Sequence, residues 1–430
     1  MSIETKKLSL EPYKGTRDFY PQDKFIQDYI FNVWRKVAKS YGYLEYDSSI
    51  LEETELYKAK SGEEIVGEQT YSFTDRGGRE VTIRPEMTPT VARMVAQKRR
   101  ELNFPLRWFS IPNLFRYERP QRGRMREHWQ FNVDMFGVDN IEADVEMISL
   151  AYDIIKSFGA KDESFQIKIN SRKFLNFLTD EYLKITAEQK HAIFKLIDRM
   201  NKISADEFEN QGTEILKEKF TKLKEVIKNK DLNLLPEELK SSQGISDILN
   251  CIKQLNSRGV KNSVFDASIM RGFDYYTGIV FEMNDTSPKN PRALFGGGRY
   301  DDLVGIFGVE KVSGVGFGMG DVTVRDFLET YNLLPEYSTG IKLYIAPFNS
   351  ECVEYSNNLA SELRSAGINV VVDLTDRQVT KKVKSADREG IPFVVVIGEE
   401  EIKSGKFKIK KLKESKEFEV TESEIINLLS

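Results

Sequence analysis

At 430 residues, 40% hydrophobic and 30% charged, the chain has the composition of an ordinary soluble globular protein of roughly two or three domains. Its formal net charge of -4 excludes a whole-molecule field that draws in nucleic acid, so any polyanion partner has to be met by local basic patches. Two cysteines, two histidines, a polar start and no apolar run near the roughly 18 residues of a membrane span exclude a disulfide framework and a multi-histidine metal site, and predict a cytoplasmic compartment.

In chain order, "FIQDYIFNVWRKVAKSYGY" sets apolar residues at helical spacing, Phe25, Tyr29, Val33 and Val37 in one row and Ile26, Ile30, Trp34 and Ala38 in the next, with Gly42 as the C-terminal stop. "YSFTDRGGREVTIRP" predicts a hairpin that turns at Gly77 and Gly78. Arg84, Glu86 and Thr88 then stand at a strand end that gives way to a helix in "TIRPEMTPTVARMVAQ". The clearest strand is "REHWQFNVDMF": Trp129, Phe131, Val133 and Met135 alternate with Arg126, His128, Gln130, Asn132 and Asp134, one face core and the other a row of polar groups. In the preceding "WFSIPNLFRYE" the same period puts Arg116 and Glu118 on one face, and Pro120 with Gly123 predicts a long hairpin loop.

From about Ser171 to Lys261 the chain turns Lys- and Glu-rich with helical spacing, a helical insertion in which Pro236 and Gly244 mark breaks. Sheet character returns in "SVFDASIMRGFDYYTGIVFEM", which holds Arg271, Asp274, Tyr275 and Tyr276 between apolar strands. It passes through "GGGRYDDL" and ends in "SGVGFGMGDVTVRDFLETY". The glycine triplet either lets backbone approach a ligand or makes a turn. Beyond "LLPEYSTG", apolar strands alternate with helices in a small α/β domain. The predicted domains are thus 1–170 with 262–332, 171–261 as the insertion, and 338–430. In the last, Lys403 to Lys413 holds six lysines on a hairpin, and Lys381, Lys382 and Lys384 add to them; edge protection and phosphate contact both account for them.

"RYERPQRGRMREHWQ", Arg116 to Gln130, packs five arginines and no lysine into eleven residues. Arginine offers a fixed fork of donors that matches phosphate and carboxylate, so the choice of arginine points to geometry. The alternative is that Arg116 and Arg119 pair with Glu118 while Arg122, Arg124 and Arg126 are solvated loop charges. With so little histidine and cysteine, chemistry in this chain has to rest on carboxylates, arginines and backbone.

Five segments in order, "YKGTRDFYP", "RPEMTPTVAR", "FRYERPQRGRMREHWQ", "RGFDYYTGIVFE" and "GGGRYDDL", make the chain resemble the histidyl-tRNA synthetases, a class II aminoacyl-tRNA synthetase family, over nearly its whole length. The resemblance implies an α+β fold: an antiparallel-sheet catalytic domain with a helical insertion, then an α/β anticodon-binding domain, in a homodimer formed partly through residues 23 to 52. It implies histidine, ATP with Mg²⁺, and tRNA(His) as substrates and partners. Glu86 and Thr88 would hold the amino group of histidine, Gln130 its carboxylate end, and Asp134 with Tyr276 its imidazole, with Tyr275 lining the same pocket. Arg116 would grip the ATP α-phosphate, Glu118 would seat adenine with His128 beside it, and Arg271 would stabilise charge developing at phosphorus. Arg122, Arg124 and Arg126 would face the acceptor end of tRNA.

Three positions depart from the family pattern: His128 replaces a phenylalanine, the motif 1 proline is absent around Ser49, and Thr323 stands where an arginine contacts the ATP γ-phosphate. Arg325, two residues on, would point elsewhere on a helix. The rival implied by Thr323 is a non-catalytic, histidine-sensing relative such as the ATP phosphoribosyltransferase regulatory subunit. Arg116, Gln130, Arg271 and the C-terminal domain stand against it.

Overall fold

The computed structural model describes residues 8–58, 69–200, 203–269 and 275–429. The chain divides into two compact units, Met1–Leu334 and Pro335–Ser430.

The first unit opens with the helix Pro21–Ser40, which has Pro at the start, where no backbone N–H is needed, and ends before Gly42, whose φ of +79° costs glycine nothing. Its buried face is Ile30, Phe31, Trp34, Val37 and Ala38. That face takes Ile30, Trp34 and Ala38 from the second predicted row and Val37 from the first, and adds Phe31; Ile26, Tyr29 and Val33 pack only at the margin. Trp34 is fully buried and stacks on Phe31 at 5.3 Å and on Phe131 at 5.4 Å.

The strands that follow are β1 (Leu44–Glu45), β2 (Leu51–Glu53), β3 (Tyr71–Thr74), β4 (Glu80–Ile83), β5 (Leu106–Ser110), β6 (Asn113–Phe115), β7 (Glu127–Phe136) and β8 (Phe165–Ser171). After the inserted helices come β9 (Ser263–Phe265), β10 (Ile279–Asp285), β11 (Ala293–Arg299) and β12 (Gly314–Gly320). Among the described residues nine of them form one sheet, ordered β1-β5-β7-β12-β11-β10-β8-β9 with β6 also on β7; β2, β4 and β3 form a small second sheet. All pairs are antiparallel except β1 with β5 and β8 with β9. The predicted hairpin is β3–β4, with Asp75 accepting from the Gly77 N–H at 2.8 Å and Gly78 at φ +79°.

On β7, Phe131, Val133 and Met135 face a core shared with Trp34 and the helix Ile141–Ser157. Burying each favours this register by about 1.5–3 kcal/mol. The polar face is buried too, with Asn132 4% and Asp134 3% exposed. A second core covers that side of the sheet, built from Val91, Val95, Phe136, Tyr275, Tyr276 and Tyr300.

Strands β8 and β9 run parallel, which demands a crossover connection. The inserted segment supplies it with the helices Ala187–Arg199, Ala205–Leu216, Lys219–Lys228 and Gln243–Ser257. Thr186 and Gln189 cap the first of them reciprocally, at 3.3 and 3.0 Å, a device worth about 1 kcal/mol. Gly244 does not separate helices as expected. It lies one residue inside Gln243–Ser257, where a Cβ would meet Phe174 N at 2.2 Å, so glycine is required by close packing. Ile193, Leu223, Ile248 and Phe174 belong to the same core as the sheet.

The second unit has β13 (Leu343–Pro347), β14 (Val370–Val372), β15 (Phe393–Ile397), β16 (Lys406–Lys411) and β17 (Lys416–Thr421), ordered β14-β13-β15-β16-β17. The first three are parallel, separated by the helices Val353–Ser365 and Val379–Arg388, and the last two are an antiparallel hairpin. Lysines on the hairpin meet glutamates: Lys411 with Glu414 at 2.5 Å and Lys406 with Glu419 at 3.4 Å. The sheet edge there is β17, not the lysine strand β16. Lys382 is buried and donates to Pro347 O at 2.9 Å, which removes it from the surface lysines.

Candidate active site

A pocket in the first unit, with about 390 Å³ of open space, collects residues from segments far apart in the chain. Glu86 enters just after β4 and is 3% exposed, and Thr88 begins the helix Thr88–Gln97. Arg116 follows β6, while Gln130 and Asn132 come from the polar face of β7. Tyr275 and Tyr276 precede β10, Tyr300 follows β11, and Gly316 and Gly318 lie on β12. Arg116 is positioned twice: its backbone N–H donates to Arg126 O at 2.8 Å, and its Nε donates to Pro85 O at 2.9 Å, next to Glu86.

Asp134 lies beneath this lining rather than in it. Tyr300 donates its hydroxyl to Asp134 Oδ1, while Oδ2 is buried without a hydrogen-bond partner. Burial pushes the Asp134 carboxyl up to about 7, against the opposing pull of the Tyr300 hydrogen bond. The pair depends on Gly316, because a Cβ there would meet Asp134 Oδ1 and Val133 O at 2.5 Å and Tyr300 Oη at 2.7 Å. Gly318 likewise makes room for Gln130, whose side-chain atoms would lie 2.8–3.0 Å from a Cβ. Tyr300 is held by its neighbour: the buried Arg299 bonds Asp144 at 2.5 Å, Val138 O at 2.9 Å and Asn140 O at 2.8 Å. Tyr275 packs tilted against Tyr276, with ring centroids 4.8 Å apart, and edge-on to Tyr300 at 5.7 Å. A carboxylate oxygen with unused lone pairs among tyrosines is an acceptor for a ligand N–H.

On the hairpin, burial first, then Arg116 and Arg17, hold the His128 imidazole down at about 3, so the ring is neutral at physiological pH. Glu118 is paired with Arg124, Oε2 to Nη1 at 3.1 Å. Arg122 reaches Asn290 Oδ1 at 3.2 Å and lies 3.9 Å from Asp326. Arg126 is built into the fold: it lies 3.9 Å over the Tyr117 ring, donates to the Tyr13 hydroxyl at 3.0 Å and to Glu118 O at 3.2 Å. Arg122, Arg124 and the unassigned Arg119 remain exposed. The cluster therefore divides, with pairing to Glu118 made by Arg124 and not by Arg116 or Arg119.

The segment "YKGTRDFYP" braces this hairpin. Gly15 O accepts from the Arg126 N–H at 2.8 Å, and Arg17 pairs with Asp321 at 2.7 Å, whose other oxygen accepts from Trp129 N at 3.0 Å. Thr323 donates to Leu294 O at 2.6 Å, and Arg325 is turned away to Asp23 at 3.0 Å and Glu329 at 2.9 Å. Arg271, expected to act at phosphorus, lies outside the described residues, as does Asp274. Asn132, Tyr300 and Arg17 were not singled out by sequence reasoning. The period-2 pattern of Gln130, Asn132 and Asp134 carried a signal for the first. Tyr300 had only its place after the glycine triplet, and Arg17 had no local signal.

The sequence family described as "Histidyl-tRNA synthetase" matches residues 15–322, and that described as "Anticodon binding domain" matches residues 342–430. A histidine-tRNA ligase of Leptospira biflexa is 44% identical over 430 residues, covering 99% of this chain and 98% of that protein. One of Thermoplasma volcanium is 36% identical, covering 98% and 99%. Among solved structures, a histidyl-tRNA synthetase from Nostoc superposes with a TM-score of 0.83 at 24% identity, covering 98% of this chain and 99% of that one. An "ATP phosphoribosyltransferase regulatory subunit/histidyl-tRNA synthetase" from Bacillus halodurans superposes at 0.72 and 22% identity, covering 91% and 99%. At such identities the structural likeness speaks for the fold alone.

Proposed function

The chain belongs to the histidyl-tRNA synthetase family, and from that premise we propose that its pocket joins L-histidine to the α-phosphorus of ATP with release of pyrophosphate, giving histidyl-adenylate, and passes the acyl group to the terminal adenosine of tRNA(His) with release of AMP. The activity is that of an ATP-dependent histidine-tRNA ligase. The observation that carries the reading is the convergence of Glu86, Thr88, Arg116, Gln130, Tyr275 and Tyr276 on one pocket from separate segments.

In this reading Glu86 and Thr88 take the ammonium group, Gln130 the carboxylate end, and the imidazole inserts between Tyr276 and the Asp134–Tyr300 pair. A side chain without an N–H leaves Asp134 Oδ2 buried and unpaired, which disfavours apolar amino acids. Attack of the histidine carboxylate on the α-phosphorus builds negative charge in a crowded centre, so positioned cations do more for the rate than an acid-base pair. Arg116 is one such cation. Arg271 is carried in this role by the family resemblance alone. Glu118 and the neutral ring of His128 seat adenine, and Arg122 and Arg124, exposed at the loop, meet the acceptor end of tRNA.

Mg²⁺ enters as part of the nucleotide substrate, whose phosphates supply ligands of their own; among the described residues no group of three or more His, Cys, Asp or Glu side chains forms a cage. Exposed Leu44, Ile50, Leu51 and Phe73 on and around β1–β3 support a homodimer interface. The compartment is the cytoplasm. The regulatory-subunit alternative is less supported, since curated relatives matched over the full length are ligases.

The test is histidine-dependent exchange of pyrophosphate into ATP, followed by charging of tRNA. Histidine binding without exchange would sink the reading.

A further inference from the structure

The helix Asp321–Thr330 carries a neutral residue, Thr323, in its first turn beside the tip of the Arg116–Gln130 hairpin. Thr323 is turned inward by its bond to Leu294 O, and that bond draws the start of β11 onto the helix. Arg292, two residues before Leu294, comes to the same spot. A Cβ on Gly123, at the hairpin tip, would lie 3.6 Å from Thr323 Cγ2, 3.9 Å from Asp326 Oδ2 and 4.0 Å from Arg292 Cδ.

Arg292 is exposed, and among the described residues no carboxylate stands within ion-pair distance of it. The acidic group that acts on it is Glu118, which Arg124 already neutralises at 3.1 Å. At the tip three guanidinium groups, those of Arg122, Arg124 and Arg292, thus face two carboxylates; Asp326 lies 3.9 Å from Arg122 and Glu118 3.1 Å from Arg124, and one positive charge is left over on the edge of the hairpin that leads through Glu118 and Arg116 to the pocket. Partial burial, then the repulsion of Arg124, lowers the pKa of Arg292 against the opposing pull of Glu118. An uncompensated arginine fork at this place suits a phosphate group.

We propose that Arg292 binds the terminal phosphates of ATP, supplying from the entry of β11 the cation that Thr323 does not. The proposal rests on the reading of the pocket as a site of ATP-dependent activation. It also explains the inward turn of Thr323: a short side chain there lets β11 close on the helix and bring Arg292 to the hairpin tip.

The experiment is calorimetry on the full-length protein with Mg²⁺, comparing a non-hydrolysable ATP analogue bridged at β–γ with AMP, in wild type, Arg292→Ala and Arg292→Lys. Arg292→Ala is expected to weaken the analogue roughly 10- to 100-fold, the range for a lost charge-assisted contact, and to leave AMP within about twofold. Arg292→Lys falls between, since it keeps the charge and loses the fork. Unchanged affinity for the analogue overturns the proposal, and so does an equal loss for AMP, which marks a structural role. If wild type shows no histidine-dependent exchange while Arg292→Ala still loses the analogue selectively, the activity reading fails and the phosphate site stands. If wild type exchanges and the variant does not discriminate, the phosphate site alone fails.

Discussion

Burial lifts the Asp134 carboxyl from 3.8 to about 7, while burial and two arginines push the His128 imidazole from 6.5 to about 3. The two groups act on stability with opposite sign. Asp134 holds a proton in the folded protein that the unfolded chain has released, so its contribution falls as pH rises from about 4 to 7. His128 stays neutral while the unfolded chain takes up a proton, so its contribution is lost as pH drops from about 6.5 to 3. Substituting one group isolates its part. Asp134→Asn should gain stability over wild type as pH rises, by about 2–3 kcal/mol between pH 5 and pH 8, measured by urea unfolding without histidine at those two values. A difference that does not change with pH would show that Asp134 is ionised throughout. The same variant should bind histidine more weakly. The polar character of Asp134 was legible from the alternation along β7. Its cover was not, because Tyr300 comes from 166 residues away.

Among the elements, β12 decides how closely the polar face of β7 can be covered. Its glycines at 316 and 318 face different kinds of atom, which separates their expected effects. A methyl group at 316 meets the carbonyl of Val133, and backbone cannot turn aside. Gly316→Ala should therefore cost about 1–3 kcal/mol of stability along with histidine binding. At 318 the methyl meets only the end of the Gln130 side chain, a flexible group. Gly318→Ala should leave stability within roughly 1 kcal/mol while raising KM for histidine. Thermal melts and steady-state kinetics on the two variants read both quantities; an equal fall in Tm would refute the distinction. Sequence patterning found the Pro21–Ser40 helix, the β3–β4 hairpin and β7, because each is written in a local period. It misjudged Gly244 and left the β12 glycines unassigned, since their reasons lie on other strands and helices. Arg126 was equally opaque, as the Tyr13 and Tyr117 rings that hold it are recognised only after folding.

At the scale of the molecule, each unit has its own hydrophobic cores among the described residues. The inserted helices share the core of the sheet, and Lys230 of the insertion and Lys168 of β8 both meet the buried Asp266, just after β9, at 2.5 and 3.5 Å. Removing the insertion should therefore unfold the first unit, whereas ending the chain at Leu334 should not. All described pocket residues lie before that point, so a protein of residues 1–334 is expected to keep histidine-dependent pyrophosphate exchange within about threefold of the whole chain, the loss expected when independent domains are separated. Charging of tRNA should fall much further, because a chain of net charge -4 has no global field to hold RNA and relies on separate local contacts acting together. The ratio of exchange to charging is the measurement. If both activities fell by the same factor, the second unit would be supporting the activation step itself, and the division of labour between the two units would be wrong.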